Sequence, residues 1–200
     1  MMRYTGPKRR LSRREGVALF PKDIKSLERK GAIPPGPKGT KMKRRLSEYG
    51  LQLREKQKAK RMFGISEKQF SGIVSQAASS KGATGLTLLS LLETRVDNVI
   101  YRLGFAKSRN EARQIVSHGH VLVDDKKLTI PSARVKVNST VAISPKFVDN
   151  TQVKKNLGES REIPGWLERK ATLGKVLRLP AREEMESILN EQLIVEYYSR

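Results

Sequence analysis

The apolar residues of this chain change their period at Gly119. Ahead of it they recur every three or four positions, as in Phe70, Ile73, Val74 and Ala77 and again in Leu88, Leu92, Val96, Val99 and Leu103. Beyond it Val121 and Val123 alternate with Leu122, and the pairs Val135/Val137 and Val141/Ile143 keep a period of two. A three-to-four period buries one face of a helix and a period of two buries one face of a strand. The expected fold class is therefore α+β, with a helical domain and a helix–helix–β-hairpin module whose strands form a small antiparallel sheet. A chain of 200 residues can bury a core of that size.

Local signals set the element ends. Ser47 caps a helix that runs to about Met62, with Leu46, Leu51 and Leu53 as apolar anchors, Arg54, Lys56, Lys58, Lys60 and Arg61 on its outer faces, and Gly64 as its stop. Ser66-Glu67-Lys68-Gln69 fits a capping box for the helix carrying the Phe70 stripe. Lys81 to Gly85 reads as a loop, and a third helix is expected from about Leu86 to Leu103, closed by Gly104. Ser108-Arg109-Asn110-Glu111 is a second capping box, opening a short helix with Ala112, Ile115 and Val116 inward. Asp124-Asp125-Lys126-Lys127 reads as a hairpin turn, with Leu128 and Ile130 continuing in strand. Residues 144–180 are mixed, and Pro164 and Pro180 mark irregular chain, with Trp166 as a packing residue. Arg182 to Asn190 reads as a short helix, and Leu193-Ile194-Val195 as a strand or helix end docked on a core. The expected organisation is an extended basic N-terminal arm at 1–45, a helical domain at 46–90 completed by about 182–200, a module at 91–157 and an irregular connection at 158–181.

Charge narrows the partner. Lys and Arg number 41 against 20 Asp and Glu, for a net charge of +21 and a pI near 10.5. Such a balance calls for a polyanion, nucleic acid first and an anionic membrane surface second. The distribution says more than the total. Residues 1–61 hold 20 of the cations and 5 of the acids, residues 93–157 hold 12 and 6, and residues 158–200 hold 7 and 8. A solubility charge would be mixed and even; this one reads as a basic arm plus a basic face on a folded module. The arm contains Ile33-Pro34-Pro35-Gly36-Pro37-Lys38-Gly39, which suits neither a helix nor a central strand. It is expected to order on RNA.

Other function classes fall away. No apolar run approaches the roughly 20 residues of a spanning helix, and residues 1–14 lack the apolar core of a secretory signal. The cationic helices have no bulky aromatic opposite face, so a membrane is not the expected partner. Cys is absent and His numbers 2, which excludes disulfides and thiolate sites and leaves too few ligands for a His-based metal cluster. No P-loop, Gly-x-Ser-x-Gly elbow or Cys nucleophile is present, so neither enzyme activity nor a cofactor is expected.

The residues expected to meet RNA fall in five groups. Lys8, Arg9, Arg10, Arg13 and Arg14, with Arg3, form the arm cluster, and Arg54 and Lys58 lie on the next helix. Arg95, Asn98 and Arg102 share one stripe of the third helix, opposite its leucines. Arg109 and Arg113 sit four apart on the following helix, with Lys107 just ahead of its N-terminus. Lys126 and Lys127 project from the hairpin, and His118 and His120 flank Gly119 at a helix-to-strand turn. Taken singly, each is more often a solvated charge. Their concentration on one small module favours a phosphate-binding array.

Several long motifs resemble a known family. They are Arg3-Tyr4-Thr5-Gly6-Pro7, Leu11-Ser12-Arg13-Arg14, the run from Leu46 to Gln57, the run from Arg95 to Gly104, Ala112 to His120, and Leu193 to Arg200. In this order they resemble the small-subunit ribosomal protein S-four family in its bacterial form, over nearly the whole chain. The resemblance implies a structural protein that binds 16S-type small-subunit rRNA directly, nucleates assembly of the small-subunit body and contributes to translational accuracy. It implies a cytoplasmic ribosomal location as a monomer, contact with the neighbouring ribosomal protein S-five, and mRNA near Lys41, Lys43, Arg44 and Arg45. It also implies that the helix–helix–hairpin module is an inserted S-four RNA-binding domain, and it gives no role in DNA binding. Some family members hold zinc through four Cys in the arm; residues 8–31 here have neither Cys nor His, so a zinc-free variant is expected. The alternative on the same residues is a free RNA-binding translational regulator.

Overall fold

The computed structural model describes residues 4–30, 33–36, 46–159 and 162–199. Its helices are α1 Lys8–Glu15, α2 Ile24–Lys30, α3 Glu48–Phe63, α4 Glu67–Ala78, α5 Thr84–Glu93, α6 Val96–Arg102, α7 Arg109–Ser117, α8 Pro145–Val148, α9 Thr151–Gly158 and α10 Glu191–Tyr198. The strands are β1 Val121–Val123, β2 Lys126–Leu128, β3 Thr140–Ile143, β4 Leu167–Lys170 and β5 Leu173–Val176. The fold is α+β, in two compact units: Met1–Gly85 with Ile188–Arg200, and Leu86–Ser187.

In the first unit the helix ends follow local chemistry. Ser47 Oγ accepts from the Gly50 amide at 3.2 Å, and Ser66 Oγ from the Gln69 amide at 3.3 Å, each satisfying an orphan donor of a first turn. Gly64 stops α3 in the left-handed region, φ 63°, a conformation a Cβ would oppose. Phe70, Ile73, Val74 and Ala77 of α4 are all buried. The apolar anchors expected on α3 need correction. Leu46 and Leu51 are exposed, and the buried face carries Gln52, Glu55, Lys56, Ala59, Met62 and Phe63. The reason is α10, which packs on that face and offers it polar partners. Gln52 Nε2 donates to Glu196 at 3.1 Å, the Asn190 amide donates to Glu55 at 2.9 Å, and the Lys56 ammonium sits 4.3 Å from the centre of the Tyr197 ring.

The N-terminal stretch also differs from the expectation. Its described residues are not an extended arm but two helices joined by a 3-10 turn at Pro21–Asp23. Buried Leu19 and a buried bond from Ser12 Oγ to Asp23 at 2.5 Å supply a small core that the Gly, Pro, Lys and Arg content conceals.

In the second unit the five strands pair antiparallel in the order β2-β1-β3-β5-β4. Helices α6 and α7 pack together, and their inward residues, among them Val96, Val99, Leu103, Ala112, Ile115 and Val116, join Val121, Val141, Ile143, Trp166, Leu167 and Val176 in one core. Trp166 is fully buried, a packing residue as expected.

From Leu86 onward several expectations are corrected. The single helix from Leu86 to Leu103 breaks at Thr94-Arg95, because the chain there pairs elsewhere: the Val135 amide donates to Thr94 O, the Val96 amide to Ala133 O, and Arg95 bridges Arg134. The hairpin turn is two residues, Asp124 and Asp125 at φ 48° and 62°, the pattern of a type I′ turn. Lys126 and Lys127 therefore lie in β2, which ends at Leu128, while Val135 and Val137 lie outside the named strands. The stretch at 158–181 is no irregular connection; it contributes the β4–β5 hairpin, held in register from Leu167↔Val176 to Lys170↔Leu173. Arg182 to Asn190 holds only a 3-10 turn, Arg182–Glu184, whereas Leu193-Ile194-Val195 lies inside α10, capped by Asn190 Oδ1.

Candidate nucleic-acid interface

The first unit sorts its cations into paired and solvent-facing groups. Glu15 is wholly enclosed, and one of its oxygens accepts from both Arg54, at 3.3 Å, and Arg61. Burial pushes the Glu15 carboxyl above its ordinary range, despite those two guanidinium groups. Lys58 is drawn to Glu55 at 2.6 Å and to the Ile188 carbonyl at 3.4 Å. Arg54 and Lys58 are thus half-buried partners of acids rather than outward contacts.

Helix α1 is arranged differently. Arg9, Arg10 and Arg14 are exposed, Lys8 lies 5.6 Å from the Phe20 ring centre, and Arg13 donates to the Ile33 and Pro34 carbonyls at 2.8 and 3.3 Å. The first turn of α1 holds no acid, and Pro7 gives it no side-chain cap. Cations there meet the positive end of the helix dipole, an arrangement costing about 0.3–1 kcal/mol per charge. A phosphate backbone would reverse that sign. Arg3, Lys41, Lys43, Arg44 and Arg45 lie outside the described residues.

In the second unit the expected arginine stripe turns inward. Arg95 is 2% exposed and grips Asp97 through Nε and Nη2, at 3.1 and 2.9 Å. Glu93, also buried, accepts from Asn98 Nδ2 at 2.6 Å and from Arg102 through Nε and Nη2 at 3.0 and 2.7 Å. Those bonds raise the Arg102 pKa further above its ordinary value, against the opposing effect of burial. Arg109 donates to Asn98 Oδ1 at 2.8 Å and to Glu186, and its guanidinium carbon stands 4.7 Å from the Tyr101 ring centre. Glu186 also accepts from Arg102 at 3.1 Å, and the two arginines hold its carboxyl below the usual range against desolvation. Arg113 is buried, not outward. The expected outer stripe is corrected to a polar network that fastens α5, α6 and α7 and the stretch after β5. Periodicity could not reveal this, because Glu186 lies 84 residues from Arg102.

Two of the places expected in this unit do present cations to solvent. Lys107 is half-buried; its amide donates to Glu111 at 2.7 Å and its ammonium stands 3.9 Å from Glu159. At the turn from α7 to β1, His118 and Lys127 are exposed and His120 is half-buried. The Lys127 stem crosses Gly119 so closely that a Cβ built there would lie 2.2 Å from Lys127 Cε. Gly119 holds a positive φ of 74°, a conformation that a Cβ would strain, and the flexible end of Lys127 occupies the space beside it. The reading from sequence passed over Arg134, exposed beside the buried Arg95, and Lys170 and Lys175 on the β4–β5 hairpin. Cross-strand placement was the missing signal for the last two. Among the described residues no group of three or more His, Cys, Asp or Glu is placed to hold a metal ion, and no helix is long and apolar enough to cross a membrane.

Comparison with known proteins supplies the family. Residues 3–93 match the model described as Ribosomal protein S4/S9 N-terminal domain, and residues 94–141 match that of the S4 domain. The chain is 49% identical over 207 residues to small ribosomal subunit protein uS4 of Dictyoglomus turgidum. It is 48% identical over 208 residues to that of Chloroflexus aurantiacus, and 45% over 209 to that of Thermus thermophilus. Each comparison covers 100% of both chains. Full-length similarity at this level, on an α+β fold with its module of helices and hairpin in place, shows that the chain belongs to the small ribosomal subunit protein uS4 family of structural, non-enzymatic ribosomal proteins.

Proposed function

We propose that this chain binds 16S-type rRNA directly as a component of the small ribosomal subunit in the cytoplasm. In this reading it nucleates assembly of the subunit body, contributes to translational accuracy through contact with ribosomal protein S-five, and meets mRNA near its entry path with Lys41, Lys43, Arg44 and Arg45. The observation that carries the reading is α1, where Arg9, Arg10 and Arg14 are exposed on a helix whose first turn has no acid. That array, with Lys8 and Arg13 beside it, is the primary phosphate contact of the first unit. On the second unit the contact lies at His118, His120 and Lys127, with Lys107 nearby in sequence; residues 91–157 act as the RNA-binding domain.

Crosslinking of the purified chain to total rRNA, with the sites mapped, tests the assignment. Crosslinks concentrated in small-subunit rRNA and on α1 support it, and crosslinks spread evenly over all rRNA overturn it. Salt gives a second test. A protein neutralising about 6–10 phosphates loses roughly three to five decades of affinity between low and moderate salt, by analogy with duplex DNA, whereas a flat response rejects the electrostatic account.

A further inference from the structure

The chain contains 2 histidines, and the fold brings both to one turn. Their ring centres lie 6.1 Å apart, edge to face, and the His120 ring lies flat against Phe147 of α8, 3.9 Å away and 4° from parallel. Lys127 reaches the same spot from β2, its stem against Gly119. Three nitrogen bases thus converge from the end of α7, the start of β1 and strand β2.

The charged groups that act on the His120 ring are His118 and Lys127; both disfavour its protonation, as does partial desolvation, which is the largest effect. Helix α8 offers the ring an uncharged face, with exposed Lys146 next along the chain. The acid just after it, Asp149, pairs with Lys154 at 2.9 Å. Of the two acids on the hairpin, Asp125 is exposed at the turn, and Asp124 is turned to Ser139 and the Thr140 amide, which hold its carboxyl below the ordinary range. A cation would be repelled here by Lys127, and an anion would meet three donors.

We propose that His118, His120 and Lys127 form a phosphate subsite whose occupation is linked to proton uptake by the two histidines. This rests on the RNA-binding reading and refines it. An anion within about 4–6 Å favours the charged form of a histidine and raises its pKa by roughly a unit or more. The sign follows: the bound state holds more protons, so affinity increases as pH falls and the gain is lost as pH rises through the raised pKa of the complex. No other side chain of ordinary pKa titrates in this window, because the chain has no Cys.

The test is filter binding of the full chain to total small-subunit rRNA between about pH 7.5 and about pH 5.5 at constant ionic strength. Expected is roughly tenfold tighter binding per histidine over that range, abolished in His118→Gln/His120→Gln. In parallel, the two histidine Cε1–H resonances are titrated with and without inorganic pyrophosphate, which should move both midpoints to higher pH. In Lys127→Gln without anion, the His120 midpoint should itself rise. RNA binding that is independent of pH, or equally pH-dependent in the double variant, overturns the subsite and leaves the RNA-binding reading intact. Midpoints unmoved by pyrophosphate also overturn it. Absence of RNA binding at every pH overturns the parent reading, and the subsite with it.

Discussion

Each unit has one set of arginines that contrasts with the other's, beside Arg54 and Arg61 of the first unit, which pair with Glu15. In the second, Arg95, Arg102 and Arg109 are enclosed and matched to Asp97, Glu93 and Glu186; Arg95 fastens the start of α6, and Arg102 and Arg109 hold α5, α6 and α7 together. In the first, Arg9, Arg10 and Arg14 stand exposed on α1, with no acid in its first turn. Spacing on a helix is the same signal in both cases. The difference lies in whether an acid is folded onto the guanidinium, and only tertiary structure supplies that. Cation density is therefore a poor footprint of an RNA surface until the internal pairs are subtracted.

Substitutions can break or sharpen this contrast. The largest effect is expected from Glu93→Ala, which leaves Arg102 and Asn98 without their shared buried acceptor; denaturant unfolding should show a loss of about 3–5 kcal/mol from the second unit. Next is Arg109→Ala, which removes charged hydrogen bonds to Glu186 and Asn98 and should cost about 1.5–3 kcal/mol. If instead it weakened RNA binding with stability intact, the contrast between the units would fail. The triple substitution Arg9→Ala/Arg10→Ala/Arg14→Ala should reverse the pattern. Melting temperature should hold or rise, while RNA affinity falls about tenfold, or 1.4 kcal/mol, and the slope of log affinity against log salt becomes shallower by about 2–3.

The smallest effect is expected at the surface network of the first unit. Lys56, Lys60 and Tyr198 hold the Glu67 carboxyl at about 2, from an ordinary 4.5. A depressed carboxylate pKa contributes stability that is present above pH 4.5 and lost as pH falls through about 2. Glu67 is 47% exposed, so solvent screening limits the contribution to under about 1 kcal/mol. Acid unfolding of Glu67→Gln should lose that dependence and little else.

What was legible in the sequence is what the chain decides locally. Ser47, Ser66 and Ser108 each cap the helix that follows, because a cap needs only an amide three residues on. The buried stripe of α4 was equally plain. Features decided at a distance were not. The break at Thr94-Arg95 depends on Ala133 and Val135, and the polar buried face of α3 depends on α10, more than a hundred residues away. Strands β4 and β5 hold four residues each, too few for a period to register, and Leu-Glu-Arg-Lys has no apolar alternation to find. The candidate site divided likewise: the α1 cluster was visible as composition, while the burial of Arg95 and Arg113 was not.

The two-residue turn at Asp124-Asp125 also acts as a register lock. Side chains along a strand alternate faces, so a slip of β2 by one residue would carry Lys127 to the core side and expose Leu128, which now stands opposite Val121 and packs on the core. Asp124 opposes that slip twice: its backbone adopts the positive φ of a tight turn, and its carboxylate accepts from Ser139 Oγ at 2.9 Å and the Thr140 amide at 2.8 Å, at the start of β3. One side chain thereby indexes two strand pairings at once. Lengthening this turn by a single residue would uncouple them and shift Lys127 out of line with Gly119, so the hairpin tolerates substitution far better than insertion.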